Sequence, residues 1–284
     1  MGRRFSMAES QRPSRPVRAE GTGILKTFGR QQKILRERLG LTQRQLAERI
    51  GYGFDLVAAV EQGRRIPRPE YIDQVDVALE AGGLLKVMKE EVARAKYPAF
   101  FEDFAALEKE AVELQAYDSQ VINGLLQTEE YARAVLAARR PPVHEDTIQQ
   151  RVAARLDRQA IFDRQPPPML SFVLEETVLR RPVGGRDVLR AQLEHLLEIG
   201  RRPNVEIQVM PTDRDEHAGL AGPLHLIETE DQRRIAYVEV QGTSQLIMDR
   251  KTVREIEVRY GIIRAQALTP RESLDFIEKV LGEL

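Results

Sequence analysis

The amino-acid sequence predicts an α+β protein in which an all-α N-terminal domain precedes a mixed α+β domain. The chain has 284 residues, 42% of them hydrophobic, which is enough for two domains. Apolar residues recur at helical spacing up to about residue 95, whereas the short apolar runs typical of strands begin after it. Charge divides in the same way: residues 1–68 contain 15 Lys and Arg against 6 Asp and Glu, and the remainder contains 28 against 38. A basic domain joined to an acidic one favours phosphate binding by the N-terminal part.

The stretch 42–62 predicts two short helices that are joined by a tight turn. Gly51 supplies the turn, where φ can be positive, and Ala47 is small enough for the two helices to cross closely. The other constrained positions are a capping box at the start, two inward-facing valines and a closing glycine, namely Thr42 with Gln45, Val57, Val60 and Gly63. Together these positions are typical of a helix-turn-helix, which predicts DNA binding.

Residues 24–96 are predicted to form the whole N-terminal domain, with about five helices. The helix-turn-helix follows a helix over 24–39 and precedes helices over 69–80 and 84–95. Residues 1–23 contain five Arg and few apolar residues, which predicts a disordered basic arm. Such an arm either stays solvated or reaches into a DNA minor groove.

Residues 97–284 are predicted to form the α+β domain, with five or six strands. The predicted helices are 102–112, 129–139, 145–164, 176–181, 187–200, 252–267 and 270–281. The predicted strands are 113–122, 169–174, 205–210, 224–228, 234–240 and 245–248. The last helix has a capping box and one apolar stripe, formed by Leu274, Ile277, Leu281 and Leu284. That stripe packs either on its own domain or on a second subunit or partner protein.

In a helix-turn-helix the second helix lies in the major groove. Since the two valines face inward, five residues are predicted to face the bases: Phe54, Asp55, Ala58, Ala59 and Gln62. This set has no Arg, Lys or Asn, so we expect modest sequence specificity and an affinity that comes from phosphates. The predicted phosphate contacts flank the helix and are Gln43, Arg44, Arg64 and Arg65. For each arginine the alternative is a solvated surface charge.

Several functional classes are disfavoured. The chain has no Cys, so a disulfide, a thiol nucleophile and a Cys-ligated zinc are excluded. It has no apolar run of membrane-spanning length and no apolar export signal, so we expect a soluble, cytoplasmic protein. His217 and His225 lie in or beside a loop with Asp213, Asp215 and Glu216, which would suit a metal or an acid–base pair, but such loops are more often solvated. We therefore expect no metal, no cofactor and no enzyme activity.

Two sets of residues resemble known families. The residues TQRQLAERIGY and VEQGRRIP resemble the XRE-type (Cro/phage-repressor-like) helix-turn-helix. The later blocks NGLLQTEEYARAVL, RVAARLDRQ, EETVLRRPVG, VEIQVMP and YVE resemble, in that order, actinobacterial regulators that join such a domain to a long C-terminal domain of unassigned biochemistry. WhiJ-like and antitoxin-like regulators belong to that group. This chain departs from its usual pattern at Asn123, where Pro is usual, and at Gly53, where Ser is frequent.

The resemblance implies a homodimeric transcriptional regulator of double-stranded DNA. It also implies a small protein partner, often encoded nearby, that antagonises or modulates the regulator. Two roles remain open for the C-terminal domain: a sensor with a small-molecule pocket, and a surface that binds the partner. The alternative function is that of an antitoxin-like protein, which neutralises its partner and regulates its own operon.

Overall fold

The computed structural model describes residues 22–95 and 101–284. In its first part, hereafter the DNA unit, the described chain forms five α-helices: α1 (Thr22–Arg38), α2 (Gln43–Ile50), α3 (Phe54–Glu61), α4 (Pro69–Ala78) and α5 (Lys89–Arg94). The prediction of an all-α domain of about five helices is therefore confirmed. The predicted basic arm lies outside the described residues except for its last two, which begin α1.

The local signals of the helix-turn-helix form as predicted. Thr42 and Gln45 make the reciprocal capping box at the start of α2. Gly51 ends α2 with φ +71°, and Gly63 follows α3 with φ +66°. Both glycines adopt the left-handed conformation that a side chain disfavours, so the turn between the helices is fixed by local chemistry.

The fifth helix is shorter than predicted because a buried carboxylate holds the chain before it. Asp76 accepts hydrogen bonds from the backbone N–H groups of Gly83 and Leu85, both at 2.9 Å, and of Lys86 at 3.3 Å. These bonds keep the segment in a turn and a short 3-10 helix, Lys86–Met88. Consequently α5 begins only at Lys89.

The helices of the DNA unit approach one another over two small residues. Ala47 is 3% exposed and lies in the same buried cluster as Val57 and Val60, as the predicted crossing requires. Gly29 on α1 permits a still closer approach, since a Cβ there would lie 2.4 Å from the Val60 carbonyl oxygen and 2.6 Å from that of Glu61. The sequence analysis did not identify this second contact.

In residues 101–284 the described chain forms six strands and seven further α-helices. The strands are β1 (Ala111–Asp118), β2 (Met169–Glu175), β3 (Val205–Met210), β4 (Leu224–Thr229), β5 (Arg234–Val240) and β6 (Thr243–Ile247). The helices are α6 (Glu102–Glu110), α7 (Glu129–Ala137), α8 (Glu145–Arg158), α9 (Glu176–Arg180), α10 (Arg186–Ile199), α11 (Arg250–Gln266) and α12 (Pro270–Gly282). The predicted α+β class is confirmed.

All six strands form one mixed sheet in the order β3-β2-β1-β4-β5-β6. β1 pairs in parallel with β2 and antiparallel with β4, so the strand direction changes at β1. Alternate side chains serve opposite faces, as the period of a strand requires: Leu170, Phe172 and Leu174 join one buried cluster, and Val173 joins the other. Helices α10 and α12 contribute to the first cluster and α11 to the second.

The apolar stripe of the last helix packs on its own domain. Ile277 is fully buried in the first cluster, and Leu274, Leu281 and Leu284 pack against that cluster. The capping box at Thr269 is present, with Pro270 at the first helical position. The structure thus supports the core interpretation of this stripe.

We expect Ala47→Leu to lower the free energy of unfolding by roughly 1–3 kcal/mol, because the larger side chain overpacks the helix crossing. Denaturant unfolding followed by circular dichroism measures this change. Ala93→Leu, at an exposed position on α5, is the matched control and should have little effect. A variant at position 47 that is as stable as the wild type would contradict the tight crossing.

Candidate nucleic-acid interface

The outward face of α3 is formed by three residues of the helix and by Gln62, which caps its C-terminus. Phe54 is 45% exposed, Asp55 and Gln62 are exposed, and Ala58 is half-buried. The prediction that Ala59 also faces outward is wrong, because this residue is only 5% exposed. The helix contacts both α1 and α2, so its buried arc is wider than two inward-facing valines indicated.

The residues predicted to contact phosphates differ in the solvent exposure and the hydrogen bonds of their side chains. Arg44, in the first turn of α2, and Arg65 are exposed, whereas Gln43 and Arg64 are half-buried. The Gln43 amide donates to Glu61 at 2.8 Å, and Arg64 Nε donates to Gln62 Oε1 at 2.7 Å. Among the described residues, no carboxylate lies within ion-pair distance of the three arginines, so their charges remain available to an external anion.

A buried ion pair behind α3 fixes its position. Arg36 on α1 donates from Nε and Nη2 to the two carboxylate oxygens of Glu61, at 2.6 and 2.9 Å. Arg36 is 6% exposed and Glu61 8%, and Arg36 Nη1 also donates to the Leu41 carbonyl at 2.6 Å. The hydrogen bond to Glu61 raises the pKa of Arg36 above its usual value. Since Gln43 also binds Glu61, this one carboxylate joins α1, α2 and α3.

The Arg36–Glu61 ion pair and one further cation, Lys26, were not predicted from the sequence. Arg36 follows Leu35 on α1, close to the apolar face that this helix turns to the core. A charged residue in that position indicates a buried residue of opposite charge. Lys26 packs beside the end of α3, because a Cβ at Gly63 would lie 3.0 Å from the Lys26 Cγ. Lys26 is exposed, so it adds positive charge at the same end of α3 as Arg64.

Two family models match the chain. Residues 27–86 match a model described as a helix-turn-helix domain, which confirms that prediction. Residues 101–279, well over half of the chain, match a domain of unknown function, DUF5753. The chain belongs to the DUF5753 family. Neither the curated proteins nor the solved structures gave a match.

The histidines of the DUF5753 domain do not converge on one site. His217 Nδ1 accepts the Gly219 N–H at 2.9 Å, so Nε2 carries the proton and donates to Glu175 Oε1 at 2.7 Å. His225 lies elsewhere, with Nε2 3.6 Å from a carboxylate oxygen of Asp118. Within residues 22–95 and 101–284 no three His, Asp or Glu side chains are arranged to hold a metal ion. His217 instead connects its own loop to β2 through the hydrogen bond to Glu175.

The DUF5753 domain also contains a cavity of about 240 Å³ at the C-terminal end of β1. Four arginines line it: Arg139, Arg151, Arg155 and Arg158. These residues were not identified from the sequence, although the spacing of 151, 155 and 158 places three of them on one helical face.

None of the described helices combines the length and the apolar composition that a membrane-spanning segment requires.

We expect Glu61→Ala to destabilise the DNA unit by roughly 3–5 kcal/mol, because it leaves the Arg36 guanidinium buried without its counterion. Thermal unfolding followed by circular dichroism measures the loss. Glu48→Ala, at an exposed position on α2, is the control and should change the free energy of unfolding by less than about 0.5 kcal/mol.

Replacing both partners by apolar residues, as in Arg36→Met with Glu61→Leu, should recover most of that stability. A single Glu61→Ala variant with wild-type stability would show that the ion pair does not hold the helices together.

Proposed function

We propose that this protein is a transcriptional regulator that binds double-stranded DNA sequence-specifically, acts in the cytoplasm as a homodimer and has no enzyme activity. The observation that carries the proposal is the outward face of α3, which is open to solvent and flanked by cations. The helix-turn-helix match supports the same function. Its kinship with actinobacterial, WhiJ-like XRE-type regulators is part of the proposal and rests on the sequence blocks.

In the proposed complex α3 lies in the major groove, where side chains distinguish base pairs. Gln62 suits adenine, whose N6 and N7 pair with a side-chain amide, and Asp55 suits the N4 amino group of cytosine. Phe54 and Ala58 suit the methyl group of thymine. Four residues of this kind discriminate few base pairs, so most of the binding free energy comes from phosphate contacts by Arg44, the Arg64–Arg65 pair and Lys26.

The proposed dimer follows from the way such motifs work. A single α3 reads only one short half-site, and two copies related by a two-fold axis read half-sites one turn of DNA apart. The C-terminal domain then serves as the regulatory part, either by binding a small molecule or by binding a small protein encoded nearby.

The alternative function, an antitoxin-like protein that neutralises a small partner, is favoured by exposed apolar side chains of the DNA unit. Val77, Leu84 and Val87 are 69%, 63% and 75% exposed and lie within one short stretch of chain. Exposed apolar side chains that occur together suit a protein contact. Co-expression with the small neighbouring open reading frames separates the two functions: a stable complex that frees DNA supports the alternative, and DNA binding unaffected by any of them supports the simple regulator.

We expect the logarithm of the DNA-binding constant to fall steeply with the logarithm of the salt concentration, because each phosphate contact contributes about 0.9 to the slope. Replacing Arg64 and Arg65 together by Ala should reduce the slope by about 1.8 and weaken binding to DNA of every sequence by the same factor. Fluorescence anisotropy with a selected and a random duplex, at several salt concentrations, measures both effects.

Replacing Arg250 and Lys251 together by Ala is the matched control, because it removes two exposed charges from the C-terminal domain. This control should keep the wild-type slope. If the two double variants have the same slope as the wild type, Arg64 and Arg65 are not at the interface.

A further inference from the structure

The cavity of the DUF5753 domain has an apolar part and a cationic part. Its apolar lining comes from α6, β1, α7 and the segment after β1 and includes Phe104, Leu114, Ile122 and Leu136. Its cationic lining comes from three arginines on one face of α8 and from Arg139, which follows α7. A ligand that fits both parts carries a negative group on an apolar body.

The arginines of α8 are not equally neutralised. Arg158 makes a bidentate ion pair with Glu108, in which Nε and Nη2 each lie 2.7 Å from one of the two carboxylate oxygens. Arg155, one turn earlier, donates from Nη1 to the neutral Oε1 of Gln127 at 2.6 Å. Burial, together with the charges of the neighbouring Arg158 and Arg139, lowers the pKa of Arg155 to about 10, and the charge of Glu239 opposes this shift only in part. Arg155 is therefore still charged at neutral pH, in a place that disfavours its charge.

The carboxylates of the cavity are engaged away from Arg155. Asp118 accepts a hydrogen bond from Asn123 Nδ2 at 2.9 Å, and Glu239 accepts one from the Tyr237 hydroxyl at 3.0 Å. Among the described residues, neither Asp118 nor Glu239 lies within ion-pair distance of Arg155. Glu239 acts on Arg155 only from a greater distance. A buried charge with no carboxylate at ion-pair distance is unfavourable, and an external oxyanion would compensate it.

Gly124 lies beside the guanidinium groups of Arg155 and Arg158. A Cβ at this position would lie 3.4 Å from Arg158 Nη1 and 3.7 Å from Arg155 Nε. A side chain added at this position would therefore be in van der Waals contact with both guanidinium groups. A larger side chain here would occupy the space that an oxyanion needs.

Helix α8 extends from this cavity to the DNA unit. In its first half, Gln150 Oε1 accepts the backbone N–H of Ile66 at 3.4 Å, and Thr147, Gln150 and Arg151 border a small cleft together with Gly63 and Arg64. Arg151 borders both this cleft and the larger cavity. Helix α8 thus borders the cavity at one end and residues 63–66, which follow α3, at the other.

We propose that this cavity binds a small molecule with a carboxylate or phosphate group on an apolar body, and that its binding changes DNA affinity through α8. The proposal of ligand binding depends on the cavity alone. The proposal that the ligand changes DNA affinity rests on the proposed DNA-binding function.

Binding is tested on the full chain with benzoate, phenyl phosphate and the neutral benzamide, at constant ionic strength, by calorimetric titration and thermal unfolding. Both anions, or one of them, should bind and raise the melting temperature, whereas benzamide should bind at least tenfold more weakly. The tighter anion identifies a carboxylate or a phosphate as the preferred group. Benzamide binding equal to that of both anions would overturn the proposal.

Arg155→Met should abolish anion binding and change the melting temperature of the unliganded protein little, because the loss of the hydrogen bond to Gln127 is offset by the removal of a buried charge that has no carboxylate at ion-pair distance. If Arg155 had only a structural role, its replacement would lower the melting temperature of the unliganded protein. Arg140→Met removes an exposed charge next to Arg139, outside the cavity lining, and should bind anions as the wild type does. Anion binding by Arg155→Met at wild-type affinity would overturn the proposal.

Gly124→Val provides an independent test, since it blocks the space and keeps every charge. Its φ is not in the left-handed region, so the backbone accepts a side chain. The variant should lose anion binding by at least tenfold, and wild-type binding would overturn the proposal even if Arg155→Met fails to fold.

The coupling is tested by measuring DNA affinity with and without the saturating anion. We expect a change of at least fivefold in the wild type and none in Arg155→Met or Gly124→Val. DNA binding that the bound anion leaves unchanged would overturn the coupling. A wild-type protein that binds the anion but no DNA, even at low salt, would overturn the proposed function and leave the anion site standing.

Discussion

The buried ion pair between Arg36 and Glu61 is the interaction on which the geometry of the DNA unit depends. Its two short hydrogen bonds join α1 to α3, and the Gln43 amide adds α2 to the same carboxylate. A charge this well buried tolerates no displacement of its partner, because neither group can regain water without opening the core. The close approach at Gly29 reinforces this constraint from the backbone side. The outward face of α3 is therefore presented at one fixed angle.

The C-terminal domain depends in a comparable way on β1, the strand at which the sheet changes direction. β1 pairs in parallel with β2 on one side and antiparallel with β4 on the other. The next two strands of the chain, β2 and β3, lie on one side of β1, and the last three lie on the other side. Ligand sites of open α/β sheets form where the chain leaves a sheet at such a position. Here Gln127 organises the exit, since its Nε2 donates to the Ile122 carbonyl at 2.6 Å and its Oε1 accepts from Arg155.

Each of the two domains uses arginine in two opposite roles. Arg36 and Arg158 are each neutralised by a glutamate and are structural. Arg65 is exposed to solvent, and Arg155 is enclosed with a neutral partner. The first two stabilise helix packing, whereas the last two retain electrostatic attraction for an anion outside the chain. The difference lies in the presence or absence of a carboxylate at hydrogen-bond distance, not in residue type.

The sequence by itself determined the features that local chemistry specifies. The capping boxes at Thr42 and Thr269, the left-handed Gly51 and the alternation of the strands each depend on residues only a few positions apart. The order of helices and strands, the two-part division of the chain and the helix-turn-helix followed from these short-range signals. Four of the five residues predicted on the outward face of α3 are open to solvent at least in part.

Only the tertiary structure decided the contacts between residues that are distant in the chain. Ala59 is buried because α1 and α2 both cover α3, which no periodicity within α3 reveals. Arg36 meets Glu61 across 25 residues, and Arg158 meets Glu108 across 50. Whether an arginine is neutralised or left for a ligand depends on which carboxylate the fold brings to it. That pairing is a property of packing in three dimensions, so the cavity at Arg155 could not be predicted from spacing alone.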